Sequence, residues 1–514
     1  MSNQSSRRPT PITLLQQAAG DAWRRRDFGA YFDLMGQADL LSPRNPALLL
    51  DLGTAYGLRT RFPEAVQFFE RAVAESRDKS NMLSKIGYVC REFQRYDLAA
   101  YYLRRAAEEP GVPPDTHAKL AEIEERQRET GAAEAAVERA LKIDAKCQLA
   151  LLVRARLNRV AGYLDEAEKV VRFLLSRTDR SGSTTRHRGW YELAAILDHQ
   201  GRYEEAFDAL TMVKKMMVPS AAGAVTERKA VLRGLHQAAG ELSSSYFQRW
   251  NAMDPGPAPR RLAVIMGHPR SGTTLLEQVL DAHTAVVSAE ETLIFWDSYN
   301  DLERDHRGTT VTMLDSLSPL AVRNARDDYF RRMELFVSVP VGDRVLIDKN
   351  PSLTALLPAL LRVLPQAQII VALRDPRDVC LSCFMQRLAI NPVSAMYLTL
   401  EGTVEEYCSL MGFWRTIKPM LPTPALEVRY EDVVTDLRSE GEKALRFLNL
   451  DWEPAVLNFH EQARKKLIIS PTYADVARPI HRGAVGRWRN YRKYLEPYLE
   501  KLAPFVKAFG YEAD

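Results

Sequence analysis

Small apolar residues recur in the first half of the chain at an interval of 34 residues, separated by larger apolar and polar positions. Three columns share this interval: Gly53, Gly87, Ala121 and Ala155; Ala65, Ala99, Ala133 and Ala167; and Ala72, Ala106 and Ala140, with Leu174 in the fourth unit. Small residues at this spacing are needed where two helices of one unit cross closely. The pattern predicts a solenoid built from pairs of α-helices.

The interval is that of tetratricopeptide repeats. We assign residues 12–253 to the array, with a degenerate leading helix pair at 12–43 and closing helices at 221–253, because the ends of a solenoid need caps. Residues 1–11 are expected to form a disordered N-terminus. Such an array either presents a concave surface to a peptide or protein, or serves as a spacer or oligomerisation module, and the pattern does not separate these interpretations.

The second half of the chain shows a different pattern. Residues 254–261 are rich in proline and break every helical periodicity, so they are predicted to form a linker. Beyond them, short apolar runs alternate with helix-sized segments; the runs are 262–266, 344–347, 368–373 and 426–428. This alternation favours a parallel sheet with helices on both faces. The predicted fold is therefore an α-solenoid of repeats followed by an α/β domain over residues 262–514.

The loop after the first of these runs has the glycine spacing of a phosphate-binding loop. Its sequence is Gly267-His268-Pro269-Arg270-Ser271-Gly272-Thr273-Thr274. Backbone N–H groups at the start of the helix that follows lack internal partners and therefore attract an anion. A nucleoside-triphosphate site has lysine where this chain has Thr273, and it also holds magnesium. A nucleotide kinase is therefore the least favoured enzyme class, and no metal is expected.

Charged residues follow the other predicted strands at the points where those strands end. They lie in the segments 348–351, 374–378 and 429–432. Ligands of open parallel sheets collect at the carboxyl ends of the strands, so we expect these segments to surround one anion site. His268 and His283 flank the loop, and we interpret both as polar loop contacts rather than as catalytic bases.

Together these motifs resemble those of the sulfotransferases that use 3′-phosphoadenosine-5′-phosphosulfate (PAPS), and in particular the tyrosylprotein sulfotransferases. The resemblance spans roughly residues 260–495. It implies that the 5′-phosphosulfate is bound by Arg270, Ser271, Gly272, Thr273 and Thr274. It also implies that Arg374 and Ser382 bind the 3′-phosphate, and that Tyr430 and Arg487 contact the nucleotide.

The same resemblance implies catalytic roles. Glu291, the second acid of a Glu-Glu-Thr triplet, is the expected general base, and Lys349 is expected to steady the bridging oxygen of the leaving group. Thr472 is expected to support the transferring sulfuryl group, and Arg270, which binds the phosphosulfate, is also expected to take part in catalysis. The chemistry requires such a set, because the attacking hydroxyl must lose a proton while negative charge builds on the leaving phosphate.

The implied activity is transfer of a sulfuryl group from PAPS to a hydroxyl acceptor, with release of adenosine 3′,5′-bisphosphate (PAP). The acceptor stays open between a protein tyrosine, a glycan and a small alcohol or phenol, with the repeats recruiting substrate or partner. The tyrosylprotein enzymes grip acidic residues around their target with two arginines, and this chain has Leu293 and Asp297 at those places. The alternative is a repeat scaffold whose sulfotransferase-like domain binds nucleotide but is catalytically inactive.

Composition adds few constraints. The net charge of +4 does not indicate a nucleic-acid partner, and the basic run from Arg464 to Lys493 is interpreted as a solvated face that also serves the nucleotide. Five cysteines in 514 residues do not form a disulfide framework, and Cys380 and Cys383 are interpreted as small buried residues. No apolar run has the length of a signal or membrane segment, so we expect a cytoplasmic location.

Overall fold

In the computed structural model, the residues described are 10–25, 27–59, 61–176, 183–253, 256, 258–304, 306–337, 339–465 and 476–512. The chain divides into two compact units, Met1–Glu192 and Leu193–Asp514. The predicted fold class is confirmed, because the first unit is an array of helix pairs and the second contains a parallel sheet. The predicted N-terminal tail lies mostly outside the described residues, and the first helix begins at Pro11.

The first unit consists of antiparallel helix pairs. Its helices are α1 (Pro11–Arg24), α2 (Phe28–Leu41), α3 (Pro46–Leu58), α4 (Phe62–Glu75), α5 (Lys79–Glu92), α6 (Tyr96–Glu108), α7 (Pro114–Arg126), α8 (Thr130–Ile143), α9 (Gln148–Val160) and α10 (Leu164–Ser176), and α11 (Ser183–His199) follows. Side-chain oxygens of Asp27, Asn45 and Asp78 accept hydrogen bonds from first-turn N–H groups, which sets where three of these helices begin.

The 34-residue columns lie where the two helices of a pair cross. Ala65, Ala99, Ala133 and Ala167 are fully buried. A Cβ added to Gly87 would lie 2.6 Å from Leu103 Cγ and 3.2 Å from the carbonyl oxygen of Ala99, and Gly53 stands in the same relation to Ala65. The small residues are therefore required by close helix packing, as the interval predicts.

The second unit is built on a sheet of five parallel strands in the order β2-β3-β1-β4-β5. The strands are β1 (Leu262–Gly267), β2 (Val286–Glu290), β3 (Val345–Lys349), β4 (Gln368–Leu373) and β5 (Leu426–Arg429). Four of them coincide with the predicted apolar runs, whereas β2 was not among the predicted strands. The chain leaves central β1 first to one side and then to the other, so the loop after β1 lies at the switch point of the sheet.

Helices cover both faces of this sheet. They are α12 (Tyr203–Glu241), α13 (Ser244–Ala252), α14 (Thr273–Asp281), α15 (Ile294–Glu303), α16 (Thr310–Ser316), α17 (Pro319–Val337), α18 (Leu357–Val363), α19 (Pro376–Met385), α20 (Pro392–Met396), α21 (Leu400–Ile417), α22 (Tyr430–Thr435), α23 (Leu437–Phe447), α24 (Phe459–Lys465), α25 (Arg492–Leu495) and α26 (Leu499–Ala508). Strand β1 directs Val264 and Met266 into one buried cluster and Ala263 and Ile265 into the other, as the alternation of a strand requires.

Helices α12 and α13 lie in the second unit, although the repeat pattern assigns 221–253 to the end of the array. Leu232 and Leu235 of α12 and Trp250 of α13 belong to the same buried cluster as Val264 of β1. The compact unit thus begins well before the proposed linker at 254–261. That linker stays a prediction of where the sequence pattern changes.

Candidate active site

The loop after β1 has a backbone that its glycines make possible. Gly267 N donates to Thr354 Oγ1 over 2.9 Å, and a Cβ at Gly267 would lie 2.4 Å from the carbonyl oxygen of Ala372. Gly272 has a φ of 91°, and its Cβ would lie 2.7 Å from the Tyr430 ring. Neither position accepts a larger residue without a shift of backbone or ring.

Helix α14 begins directly after this loop. Its first two residues, Thr273 and Thr274, are buried, as is Ser271 before them. The first N–H groups of a helix have no partners within it, and the hydroxyls of the two threonines add further donors. The arrangement suits a bound anion.

Arg374 follows β4 and lies beside this loop. Its guanidinium carbon lies 5.0 Å from the centre of the Tyr430 ring, and its Nη1 donates to the carbonyl oxygen of Arg270 over 3.3 Å. Within the described part of the chain, the buried Nε of Arg374 has no hydrogen-bond partner. A buried guanidinium with an N–H group still free to donate suits an anionic ligand.

The residues predicted for the two ends of the nucleotide contact each other. Arg270 Nε donates to Ser382 Oγ over 3.1 Å, and Arg270 has a φ of 73°, in the left-handed region. Such a backbone is costly for a residue with a side chain and is often retained where function requires it.

Arg487 lines the same cavity, and Asp198 holds it in place. Asp198 accepts hydrogen bonds from Arg487 and, over 2.6 Å, from Tyr491. The backbone N–H groups of Gly486 and Trp488, on either side of Arg487, both donate to Asp378. Two carboxylates therefore fix the position and direction of this arginine.

Lys349 is the last residue of β3 and lies among three carboxylates. Its Nζ is 2.9 Å from Glu291 Oε1, 3.3 Å from Glu290 Oε1 and 3.5 Å from Glu277 Oε2. The register of the sheet explains this cluster, because Lys349 pairs with Glu290 on β2, and Glu291 follows directly. Glu277 comes from α14, one helical turn beyond Thr273 and Thr274.

The charges of this cluster depend on burial. Burial disfavours the ammonium ion, but the carboxylates of Glu277, Glu291 and Glu290 outweigh it and raise the pKa of Lys349. Burial raises the pKa of Glu277 to about 8, against the pull of Lys349. The lysine is therefore a cation at neutral pH, and Glu277 is the member of the cluster that retains a proton.

Glu291 is the accessible member of the cluster. About a third of its side chain is exposed (36%), whereas Lys349 is fully buried. Its φ of 48° lies in the left-handed region, and its N–H donates to the carbonyl oxygen of Lys349 over 2.7 Å. The unusual backbone turns the carboxylate away from the end of β2 and towards the lysine.

These groups line one cavity of about 690 Å³, within the usual range for small-molecule sites. Its lining includes nine of the site residues predicted from the sequence: Arg270, Gly272, Thr273, Thr274, Glu291, Arg374, Ser382, Tyr430 and Arg487. Lys349 lies behind Glu291 and Thr274, with its Nζ 3.5 Å from Thr274 Oγ1. Thr472 lies outside the described residues.

The two histidines and the cysteine pair have structural positions. His268 is fully buried, and burial lowers its pKa to about 4, so it is neutral near pH 7. His283 Nε2 is 2.9 Å from the carbonyl oxygen of Asp451. Cys380 and Cys383 are buried on α19, and burial raises the pKa of Cys383 to about 12, so both remain small interior residues.

Three residues of the site have no sequence motif. Glu277 is a fully buried acid on α14, Thr354 hydrogen-bonds to Gly267, and Asp198 orients Arg487. The acid at 277 is the one signal that the sequence offers, since a charged residue on the buried side of a helix needs a partner. Among the helices that the structure describes, none is long and apolar enough to cross a bilayer.

Comparisons with known proteins divide the chain in the same way. Residues 263–454 match the model of the "Sulfotransferase family", and residues 50–113 match that of the "Tetratricopeptide repeat". An uncharacterized protein of Aquifex aeolicus (strain VF5) is 23% identical over 351 residues, which are 66% of this chain. The match spans only 44% of the length of that relative. Protein-tyrosine sulfotransferase 1 of Danio rerio is 25% identical over 276 residues, 49% of this chain and 72% of that protein.

Two solved structures each align with part of the chain. The sulfotransferase domain from the Synechococcus PCC 7002 olefin synthase aligns with a TM-score of 0.35 and 21% identity, over 51% of this chain and 98% of that one. PilW, a type IV pilus biogenesis factor, aligns with a TM-score of 0.30 and 20% identity, over 42% of this chain and 94% of that one.

Proposed function

Because residues 263–454 match the model of the sulfotransferase family and residues 50–113 match that of the tetratricopeptide repeat, we propose that the protein transfers a sulfuryl group from PAPS to a hydroxyl acceptor. One observation carries this proposal. A lysine-free anion loop, an arginine with an unused donor and a carboxylate paired with a buried lysine line or adjoin a single cavity.

The residues on one side of the cavity suit the nucleotide. The loop from Arg270 to Thr274 would hold the 5′-phosphosulfate, and Arg374 with Ser382 would hold the 3′-phosphate, because these groups supply the N–H and O–H donors that anions require. The N–H group at Nε of Arg374 is available to donate a hydrogen bond to that phosphate. Tyr430 and Arg487 would contact the rest of the nucleotide.

The reaction that we propose is an in-line displacement at sulfur. A bond forms between the acceptor oxygen and sulfur while the bond from sulfur to the bridging phosphate oxygen breaks, and the electron pair of that bond stays with PAP. Glu291 takes the proton of the acceptor hydroxyl, and Lys349 stabilises the charge on the leaving oxygen. Thr472 remains our proposed support for the sulfuryl group.

The ion pair between Lys349 and Glu291 has two consequences for this scheme. Before substrates bind, the lysine holds the Glu291 carboxyl group in place, with Lys349 Nζ 2.9 Å from Glu291 Oε1. When Lys349 turns towards the leaving group, Glu290, whose Oε1 lies 3.3 Å from the present Nζ position, remains to pair with the ammonium ion.

The test combines binding and turnover. PAP should bind in titration calorimetry, and the protein incubated with labelled PAPS and a cell extract should transfer label to a protein, glycan or small-molecule pool. The substitution Glu291→Gln should lower kcat about 10²–10⁴-fold, with the PAP dissociation constant changed less than about threefold, because a general base contributes that much. Glu500→Gln, at an exposed glutamate of α26, is the control.

Three outcomes separate the alternatives. Absence of PAP binding together with tight binding of magnesium-ATP would overturn the proposal. Normal PAP binding without transfer to any pool would favour an inactive scaffold. Full turnover by Glu291→Gln would remove Glu291 from the role of base while leaving the activity in place. We also propose that the repeats recruit the substrate or a partner. The pool that receives the label identifies the class of the acceptor.

A further inference from the structure

Helix α12 contributes a wall of the cavity from outside the segment that matches the sulfotransferase family, residues 263–454. Glu227, Arg228 and Val231 of this helix line the cavity. Their position is fixed by buried polar contacts within the second unit. Arg228 Nε donates to Glu406 Oε2 of α21 over 2.9 Å, and Lys214 Nζ donates to the carbonyl oxygen of Tyr397 over 2.7 Å.

The rest of this wall is apolar. If the nucleotide occupies the loop, Arg374, Tyr430 and Arg487, part of the remaining lining faces the acceptor. Six apolar side chains of the lining form what we call the acceptor wall: Val231, Leu293, Trp296, Met385, Leu388 and Val393. Trp296, Leu388 and Val393 also pack against the main buried cluster of the unit, so the wall is held in place.

The charges of the acceptor wall do not favour an anion. Beside the acceptor wall, Arg228 of α12 is neutralised by Glu406 in a pair whose side chains are 5% and 0% exposed. Arg478 also lines the cavity, but it is not one of the six residues of the acceptor wall. Glu227 adds an exposed carboxylate. Asp297, near Leu293 and Trp296, forms an ion pair with Arg332 over 2.6 Å. A carboxylate on the acceptor would therefore meet negative charge and apolar surface, both of which disfavour it.

We propose that α12 is an acceptor-specificity element, and that the acceptor is an uncharged phenol or alcohol with an apolar body. This inference rests on the proposed sulfotransferase function. The size of the cavity agrees with it, since about 690 Å³ suits a nucleotide together with a small molecule. The acceptor body lies against Val231, Trp296 and Leu388, and its hydroxyl points to Glu291.

The test compares acceptors that differ in charge. Two phenols serve as probes: para-ethylphenol, which is neutral, and para-hydroxyphenylacetate, which carries a carboxylate. With PAPS, the neutral phenol should have a kcat/KM at least about tenfold above that of the anionic phenol and of an acidic tyrosine peptide, a usual size for discrimination in an apolar pocket. Glu227→Lys should reduce the ratio of the two kcat/KM values, because it replaces a charge that repels the carboxylate of the anionic phenol with one that attracts it.

Matched substitutions on α12 separate a role in specificity from a role in stability. Val231→Arg should raise the KM for the neutral phenol about tenfold or more and leave the dissociation constant of PAP unchanged, because the cation enters the acceptor wall only. The control is Val218→Arg on the same helix, where the valine is similarly exposed (42% against 39%) but does not line the cavity.

The outcomes are distinguishable. Preference of the wild type for the anionic phenol or the acidic peptide would overturn the inference while leaving sulfotransfer intact. Equal effects of Val231→Arg and Val218→Arg would overturn the role of α12. Absence of PAP binding would overturn the proposed function itself, and with it this inference.

Discussion

At the scale of single residues, the cluster around Lys349 holds more carboxyl groups than its one cation can neutralise. Glu277, Glu290 and Glu291 all lie within 3.5 Å of the ammonium nitrogen. Glu277 is fully buried, and burial raises the pKa of this carboxyl to about 8. Keeping Glu277 protonated lets the other two carboxylates share the lysine.

We predict that Glu277→Gln changes how stability depends on pH. The folded protein retains a proton on Glu277 that the unfolded chain releases above the ordinary pKa of 4.5, so the wild type loses stability as the pH rises towards about 8. Glutamine does not titrate. Between pH 5 and pH 8, the free energy of unfolding of the variant should therefore rise relative to that of the wild type, by on the order of 1 kcal/mol or more. Urea unfolding at both pH values measures this.

The control for this prediction is Glu500→Gln, which removes an exposed carboxyl of α26. Its stability should follow that of the wild type at both pH values. A difference between Glu277→Gln and the wild type that does not change with pH would mean that Glu277 is ionised throughout this range.

Arg374 gives a second prediction at this scale. Its Nε has no partner among the described residues, so we expect a phosphate to be its ligand. Arg374→Ala should weaken PAP binding by about 1.5–3 kcal/mol, the usual contribution of a charged hydrogen bond. Arg323→Ala, at an exposed arginine of α17, should leave binding unchanged. Calorimetric titration with PAP decides, and equal affinity of both variants would remove Arg374 from the nucleotide site.

The residues that could be predicted from the sequence are those within short motifs. Arg270 to Thr274 form a contiguous loop, and Glu291 and Lys349 each directly follow or end a strand. Asp198 could not be predicted, because its contact with Arg487 joins residues 289 positions apart through packing alone. Glu277 could not be predicted because the partner that permits a buried acid at this position, Lys349, lies on β3, far away in the sequence.

At the scale of elements, the repeat interval was the easiest feature to predict, because each unit buries the same small positions. Strand β2 was missed for the opposite reason. Its five residues, Val286 to Glu290, include Ser288 and end on an acid, so they do not form a continuous apolar run. As an edge strand it pairs with β3 alone and is partly exposed, and such a strand does not need a fully apolar sequence.

The close helix crossing in the array gives a prediction for Gly87. Gly87→Ala should destabilise the first unit by about 1–3 kcal/mol, because the new Cβ would overlap Leu103 and approach the carbonyl oxygen of Ala99. Gly131→Ala is the matched control in α8, where a Cβ meets nothing within 4 Å, and it should stabilise by about 0.5–1 kcal/mol. Thermal unfolding measures both changes. Similar effects of the two substitutions would contradict the predicted crossing.

At the scale of the whole molecule, the chain has separate hydrophobic cores in its two units. The largest buried cluster of the first unit contains Phe69, Tyr102 and Leu152, and that of the second contains Val264, Phe295 and Trp414. Each unit therefore has the apolar burial that cooperative folding requires.

We predict two unfolding transitions in scanning calorimetry. PAP should raise the midpoint temperature of only one of them. At a PAP concentration of about 100 times its dissociation constant, binding adds about 2.7 kcal/mol to the unit that holds the site, which corresponds to a rise of about 5 °C in midpoint. The transition that Gly87→Ala lowers should be the other one. A single transition that responds to both PAP and Gly87→Ala would show that the units unfold together.

Helix α12 belongs to the compact second unit but lies outside the segment that matches the family model, so the matched segment is shorter than the folding unit. A fragment that starts at Leu262 keeps every strand and the whole anion loop, yet it discards Leu232, Leu235 and Trp250 from the buried cluster and strips Glu406 of its counter-ion. The hydrophobic surface uncovered in this way favours aggregation, and the fragment would lack the helix that we propose as the acceptor-specificity element. Expressing such a chain only within the limits of its family match therefore risks an insoluble product.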